Sequence, residues 1–227
     1  MAKRDDILNF LEKLYPLTSC FLNYKEDYQL LISIILSAQT TDKKVNDATS
    51  ILFTSYPTIE DLSNADINDI IKIVNKLGLA STKARYVIDT CKIIINEFNG
   101  VVPSNLEDLL RLKGVGRKTA CVFLAEYYNQ AYIPVDTHIK RISKRLGLTK
   151  SDNPSLIQSD LEKIFYKEGV ILHRRLILFG RNICKAINPK CDICKLKQYC
   201  NYSSLKVKWS SLQDNLTLFV ILFDNKS

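Results

Sequence analysis

Four cysteines fall within seventeen residues, at Cys184, Cys191, Cys194 and Cys200, in the spacing C-x6-C-x2-C-x5-C. Soft thiolates on so short a loop converge on one site, so this stretch must fold around a metal ion or an iron-sulfur cluster. A zinc ribbon usually joins two C-x-x-C pairs across a longer span, and only one such pair exists here. The spacing by itself leaves zinc and a [4Fe-4S] cluster both open. Cys20, Cys91 and Cys121 are scattered and read as small buried hydrophobes. Asp5, Asp6, Glu12 and Lys13 interrupt the first twenty residues, which excludes a secretory signal there. A cytoplasmic chain in a reducing compartment is expected, without disulfides.

Helical periodicity dominates the rest. Ile67, Ile70, Ile71, Val74 and Leu77 share one helical face, and Val87, Cys91, Ile94 and Ile95 share another. Ser104 with Glu107 has the form of a capping box, and Asn153-Pro154 places a cap before a first-turn proline. Gly78, Gly100, Gly147 and Gly169 each follow an apolar stretch and read as helix stops. Only 7 of 227 residues are glycine, too few for a turn-rich β fold. The expected fold class is all-α, with roughly ten helices and two helical lobes. Val101-Val102 and the run Leu216 to Phe223 are weak strand candidates. That run is also too short for a membrane span, which needs about 20 apolar residues.

Charge is unevenly distributed, with a net −2 over residues 1–100 and +10 over residues 101–227. The basic half faces a polyanion, for which nucleic acid is the usual identity. Within it lies Gly114-Val115-Gly116-Arg117-Lys118-Thr119, between an apolar helix and another helix starting near Arg117. Such a turn exposes backbone N–H groups at a helix N-terminus, where amides and dipole favour a phosphate. Val115 is expected to pack inward. The P-loop spacing is absent, which disfavours nucleotide hydrolysis. The cysteine loop adds Lys185, Lys190, Lys195 and Lys197 against one acid, Asp192, and reads either as a solvated basic loop or as a source of phosphate contacts.

Lys118 reads either as a phosphate contact or as a nucleophile, since a lysine attacks carbon as its neutral amine. Asp136, after the apolar Ile133-Pro134-Val135, reads as the N-cap of the next helix, a position compatible with a catalytic carboxylate.

Taken together, Leu36-Ser37-Ala38-Gln39-Thr40-Thr41-Asp42, the Gly114 to Ala120 hairpin, Val135-Asp136-Thr137-His138-Ile139 and the four-cysteine loop resemble the endonuclease III family of helix-hairpin-helix DNA glycosylases. The resemblance runs from about residue 7 to residue 202 and implies a six-helix barrel lobe over 20–133. It implies a cluster lobe made of an N-terminal helix (1–19) and residues 134–203, with DNA across the cleft, and says nothing of the tail 204–227. It further implies that Lys118 is the nucleophile and Asp136 its catalytic partner, and that Cys184, Cys191, Cys194 and Cys200 hold a [4Fe-4S] cluster. Gln39 matches the residue that fills the gap left by a flipped nucleotide, and Leu79 an apolar wedge at the same opening. Without the resemblance, Gln39 reads as a helix-end polar residue and Leu79 as core. Gly114, Val115, Gly116, Arg117 and Thr119 of the hairpin, with Lys185, Lys190 and Lys195, are the expected DNA contacts.

The implied activity is that of a bifunctional glycosylase and AP lyase acting as a monomer on oxidised pyrimidines in damaged duplex DNA, away from membranes and at the nucleoid in a bacterium. An adenine-mismatch glycosylase is the nearest rival, which Lys118 and the short tail count against. A non-catalytic helix-hairpin-helix protein with structural zinc is a second. Lys113 departs from the family's usual proline, and Cys121 from its common asparagine.

Overall fold

Helices account for all the regular structure among residues 2–203, the part of the chain that the computed structural model describes. They are α1 (Ala2–Leu14), α2 (Asp27–Leu36), α3 (Asp42–Ser55), α4 (Ile59–Ser63), α5 (Ile67–Val74), α6 (Ala80–Phe98), α7 (Leu106–Leu109), α8 (Arg117–Tyr128), α9 (Thr137–Arg145), α10 (Pro154–Ile164) and α11 (Gly169–Asn182). Short 3-10 turns occupy Asn75–Leu77, Cys191–Ile193 and Lys197–Tyr199. None of the described helices is long and apolar enough to cross a membrane.

The chain divides into two units. One takes in Ser19–Pro134 and Lys167–Val170, and the other takes in the chain up to Thr18, Val135–Tyr166 and the chain from Ile171. The first is built around α2, in which every residue from Tyr28 to Leu36 is buried. A helix that is buried all round can only be a central one. Around it pack Val45 and Leu52 of α3, Leu62 of α4, Ile70 and Val74 of α5, Val87, Cys91 and Ile94 of α6, and Phe123 and Leu124 of α8. Each large aliphatic or aromatic side chain buried there contributes about 1.5–3 kcal/mol of transfer free energy. Cys91 and Cys121 are fully buried, whereas Cys20 is half-buried against the same core. Burial, with a smaller contribution from Glu60, pushes the Cys91 thiol up to about 12, so it stays protonated.

The second unit is discontinuous in sequence. α1 sets Ile7, Phe10 and Leu11 into its interior, and Phe10 meets the Phe179 ring edge-on at 6.0 Å. Arg4 donates to the carbonyl of Ile164 at 3.0 Å, and Lys3 donates to that of Leu146. From α11, the buried Arg175 donates to the Tyr15 carbonyl at 3.1 Å and pairs with Glu12.

Three local expectations are corrected. The cap of α7 is Asn105 and not Ser104: the Asn105 side chain accepts the Asp108 amide at 2.9 Å. Gly169 opens α11 and stops nothing; a side chain there would sit 3.2 Å from the Ala131 backbone. Val101-Val102 is no strand, because the Val102 amide donates to Asp27 at 3.2 Å and its side chain is buried. Asn153 caps α10 ahead of Pro154 as expected. The run Leu216 to Phe223 lies outside the described residues.

Candidate functional site

The hairpin between α7 and α8 is fixed from the inside. Leu112 and Val115 are buried, the Val115 amide donates to the Leu112 carbonyl at 3.3 Å, and the Thr90 hydroxyl donates to the Lys113 carbonyl at 2.7 Å. Gly114 has φ +75, and a Cβ on it would come within 2.6 Å of the Tyr86 ring, so both conformation and packing require glycine. Gly116 is different. Its φ of −90 suits any residue, and an added Cβ would meet nothing within 4 Å. What glycine achieves there is a helix start without a capping side chain, which leaves the first-turn amides of Arg117, Lys118 and Thr119 without intrahelical partners. Arg117 and Lys118 are exposed beside them and Thr119 is half-buried. An anion finds aligned amides, a helix dipole and two cations in one place.

Gln39 and Leu79 belong to the same unit. Both sit in left-handed backbone, at φ 58 and φ 52, and both are exposed, Leu79 by 62%. A leucine so placed is not core, whatever its hydropathy. Lys83, in the first turn of α6, is 3% exposed and donates to the carbonyls of Ala38 and Leu77, each at 2.8 Å. Sequence reasoning missed it. The available signal was a cation four residues before Val87 and eight before Cys91, on the apolar stripe of its helix.

Asp136 belongs to the other unit. It is the N-cap of α9, its carboxylate accepting the Ile139 amide at 2.7 Å. One turn on, Arg141 donates to the Gly180 carbonyl at 2.9 Å and the Cys184 carbonyl at 3.0 Å, tying α9 to the first cysteine. At the far end of α9, Arg145 donates to the Cys184 sulfur at 3.4 Å and to the carbonyls of Lys185 at 2.7 Å and Ala186 at 3.1 Å, and lies over the Tyr202 ring at 4.0 Å. Both arginines hold the start of the cysteine loop through backbone groups that sequence does not advertise.

All four loop cysteines, half-buried, line one cavity together with Arg145, Leu146, Phe179 and Lys197. Burial pushes the Cys194 thiol up, and the nearness of Cys184, Cys200 and Cys191 adds to that effect. Four thiols in mutual electrostatic reach need a cationic centre to be held as thiolates, so the donor set fits an iron-sulfur group. Lys185, Lys190 and Lys195 of the same loop are exposed.

The description "HhH-GPD superfamily base excision DNA repair protein" fits residues 32–167, and "iron-sulfur binding domain of endonuclease III" fits residues 184–200. The endonuclease III of Rickettsia felis is 40% identical over 197 residues, covering 86% of this chain and 92% of that one. The chain belongs to the endonuclease III family. Among solved structures, an endonuclease III–DNA non-covalent complex matches with a TM-score of 0.85 at 36% identity, over 90% of this chain and 98% of that one. A trapped endonuclease III–DNA covalent intermediate matches equally well, with a TM-score of 0.85 at 36% identity over 91% and 99%. As a member of that family, the chain is a base excision repair enzyme, a DNA glycosylase and AP lyase with a [4Fe-4S] cluster as cofactor.

Proposed function

We propose that the chain removes oxidised pyrimidines from damaged duplex DNA and cleaves the resulting abasic site on its 3′ side, with Lys118 as nucleophile. The observation that carries this reading is the uncapped start of α8, where an exposed lysine stands among amides free to take a DNA phosphate. A phosphate held there brings the adjoining sugar to the amine. The covalent intermediate named for an endonuclease III is the kind of species such an amine forms.

The Lys118 Nζ lone pair attacks C1′ while the C1′–N bond breaks and its electron pair leaves with the base, which takes up a proton. Asp136 stabilises the positive charge that builds on the sugar and accepts the proton shed by the attacking nitrogen. The amine on C1′ then expels the ring oxygen, which leaves with the C1′–O pair and takes the proton held by Asp136, to give an iminium. Loss of a 2′ proton to a base and departure of the 3′ phosphate complete β-elimination, and water returns the lysine. Gln39 and Leu79 occupy the space left by the extruded nucleotide. Gly114, Val115 and Gly116 with the side chains of Arg117 and Thr119 hold the DNA backbone, and Lys185, Lys190 and Lys195 add further phosphate contacts.

Cys184, Cys191, Cys194 and Cys200 hold the cluster, which when bound fixes the shape and charge of the basic loop. The enzyme acts as a monomer, in the cytoplasm at the nucleoid. The test is incubation with duplexes carrying thymine glycol, a preformed abasic site or an A·8-oxoguanine mismatch, without alkaline workup. Nicking of the first two and not the third is expected. Excision of adenine from the mismatch without nicking would assign the chain to the other branch of its superfamily.

A further inference from the structure

Lys83 is a charge placed where charge is costly. It is 3% exposed, and it stands in the first turn of α6, the end of a helix that disfavours cations. What compensates is a pair of carbonyls at 2.8 Å. Ala38 follows the C-terminal end of α2, and Leu77 closes the 3-10 turn after α5, so both oxygens lie at helix ends where the dipole welcomes an ammonium. Burial lowers the Lys83 pKa, as expected for an ammonium taken out of water. Each carbonyl is one or two residues from a side chain assigned above to DNA: Ala38 precedes Gln39, and Leu77 precedes Gly78-Leu79.

Those two residues hold left-handed backbone that L-amino acids rarely adopt and that persists only where the surroundings over-determine it. The two loops come from segments about forty residues apart, and the Lys83 Nζ bonds to both. We propose that Lys83 is a positioning residue that staples the Gln39 and Leu79 loops together, so that both side chains are aimed at one opening in the duplex. This rests on the reading of Gln39 and Leu79 as the residues that replace a flipped nucleotide. Lys83 itself touches no substrate. Its contribution belongs to extrusion of a paired base and not to bond breaking.

The test compares single-turnover excision of thymine glycol paired with adenine against the same lesion opposite a base-less site, where little remains to be unstacked. Rates are normalised to the enzyme that traps on abasic DNA with borohydride, which removes any unfolded fraction. Lys83→Met should slow the paired substrate by about tenfold and the opened one by less than about twofold. Emission from a 2-aminopurine opposite the lesion, which reports unstacking, should fall in step. Lys83→Arg, which keeps donors for two carbonyls, should recover part of the loss and stands in if the methionine variant does not fold. In a Gln39→Ala/Leu79→Ala background, Lys83→Met should cost less than about twofold more, because the staple then holds nothing of use. Equal slowing of both substrates, the same penalty in both backgrounds, or no slowing at all overturns the staple. If Gln39→Ala and Leu79→Ala themselves leave the paired substrate unaffected, the gap-filling reading fails first and the staple fails with it.

Discussion

The starts of α8 and α9 carry the same backbone deficit, amides without intrahelical partners, and meet it in opposite ways. α8 begins at Gly116, which offers no side chain, and its first-turn amides stay open beside Arg117 and Lys118. α9 begins at Asp136, whose carboxylate takes the Ile139 amide at 2.7 Å. An open helix start is a receptor for an anion from outside. A capped one fixes the orientation of its own anion. The proposed nucleophile stands at the first kind and the proposed carboxylate at the second, so the two ends should respond differently to the same manipulation.

The largest difference is expected from Lys118→Gln. It should abolish borohydride trapping and strand cleavage, a loss of about a thousandfold or more, while DNA binding persists and the melting temperature is unchanged. Trapping at near wild-type rate would place the nucleophile elsewhere. Asp136→Asn comes next: the amide oxygen still accepts the Ile139 N–H, so fold should hold while base release slows by about a hundredfold or more. Asp136→Ala loses the cap as well, and should add a stability loss of about 1 kcal/mol in denaturant titration. If asparagine and alanine lose equal stability, the cap seen at α9 contributes nothing.

Gly116→Asp turns the α8 start into a copy of the α9 start. Nothing crowds the new Cβ and the backbone is unstrained, so stability should be kept or rise slightly, while a carboxylate in the phosphate position weakens duplex binding by about tenfold. Unchanged affinity would remove the phosphate from that helix start. The smallest effect is expected from Lys190→Gln on the cysteine loop: a slightly weaker affinity for every duplex, and a salt slope of log affinity flatter by about 0.9. Equal affinity at low and high salt in the wild type would sink the electrostatic account of both regions.

Periodicity made α5 and α6 legible, because Ile70, Val74, Val87, Cys91 and Ile94 do occupy buried stripes. The hairpin was legible for a related reason: in a chain with few glycines, two placed two apart mark a special turn, although only at Gly114 would a side chain be obstructed. What sequence could not supply was phase and partner. Ser104 and Asn105 both suit a cap, and one residue of register decides between them. Gly169 looks like a stop until the Ala131 backbone is seen against it. Lys83 and Arg145 look like ordinary helix cations, since the carbonyls of Ala38 and Lys185 that help define them lie 45 and 40 residues away in the chain. Leu79 shows the opposite failure, an apolar side chain whose exposure hydropathy would never suggest.

The discontinuity of the unit that begins with α1 has a consequence for how the protein is made. Phe10 finds Phe179, and Arg4, Tyr15 and Glu12 find Ile164, Leu178 and Arg175, only after some 160 further residues have left the ribosome. At about 5–20 residues per second, that leaves the first helix without its interior for roughly ten seconds or more. The unit built on α2 closes on itself within that interval, since nearly all of it lies between Ser19 and Pro134. Synthesis therefore delivers the hairpin already folded, while α1 is among the last elements to be buried.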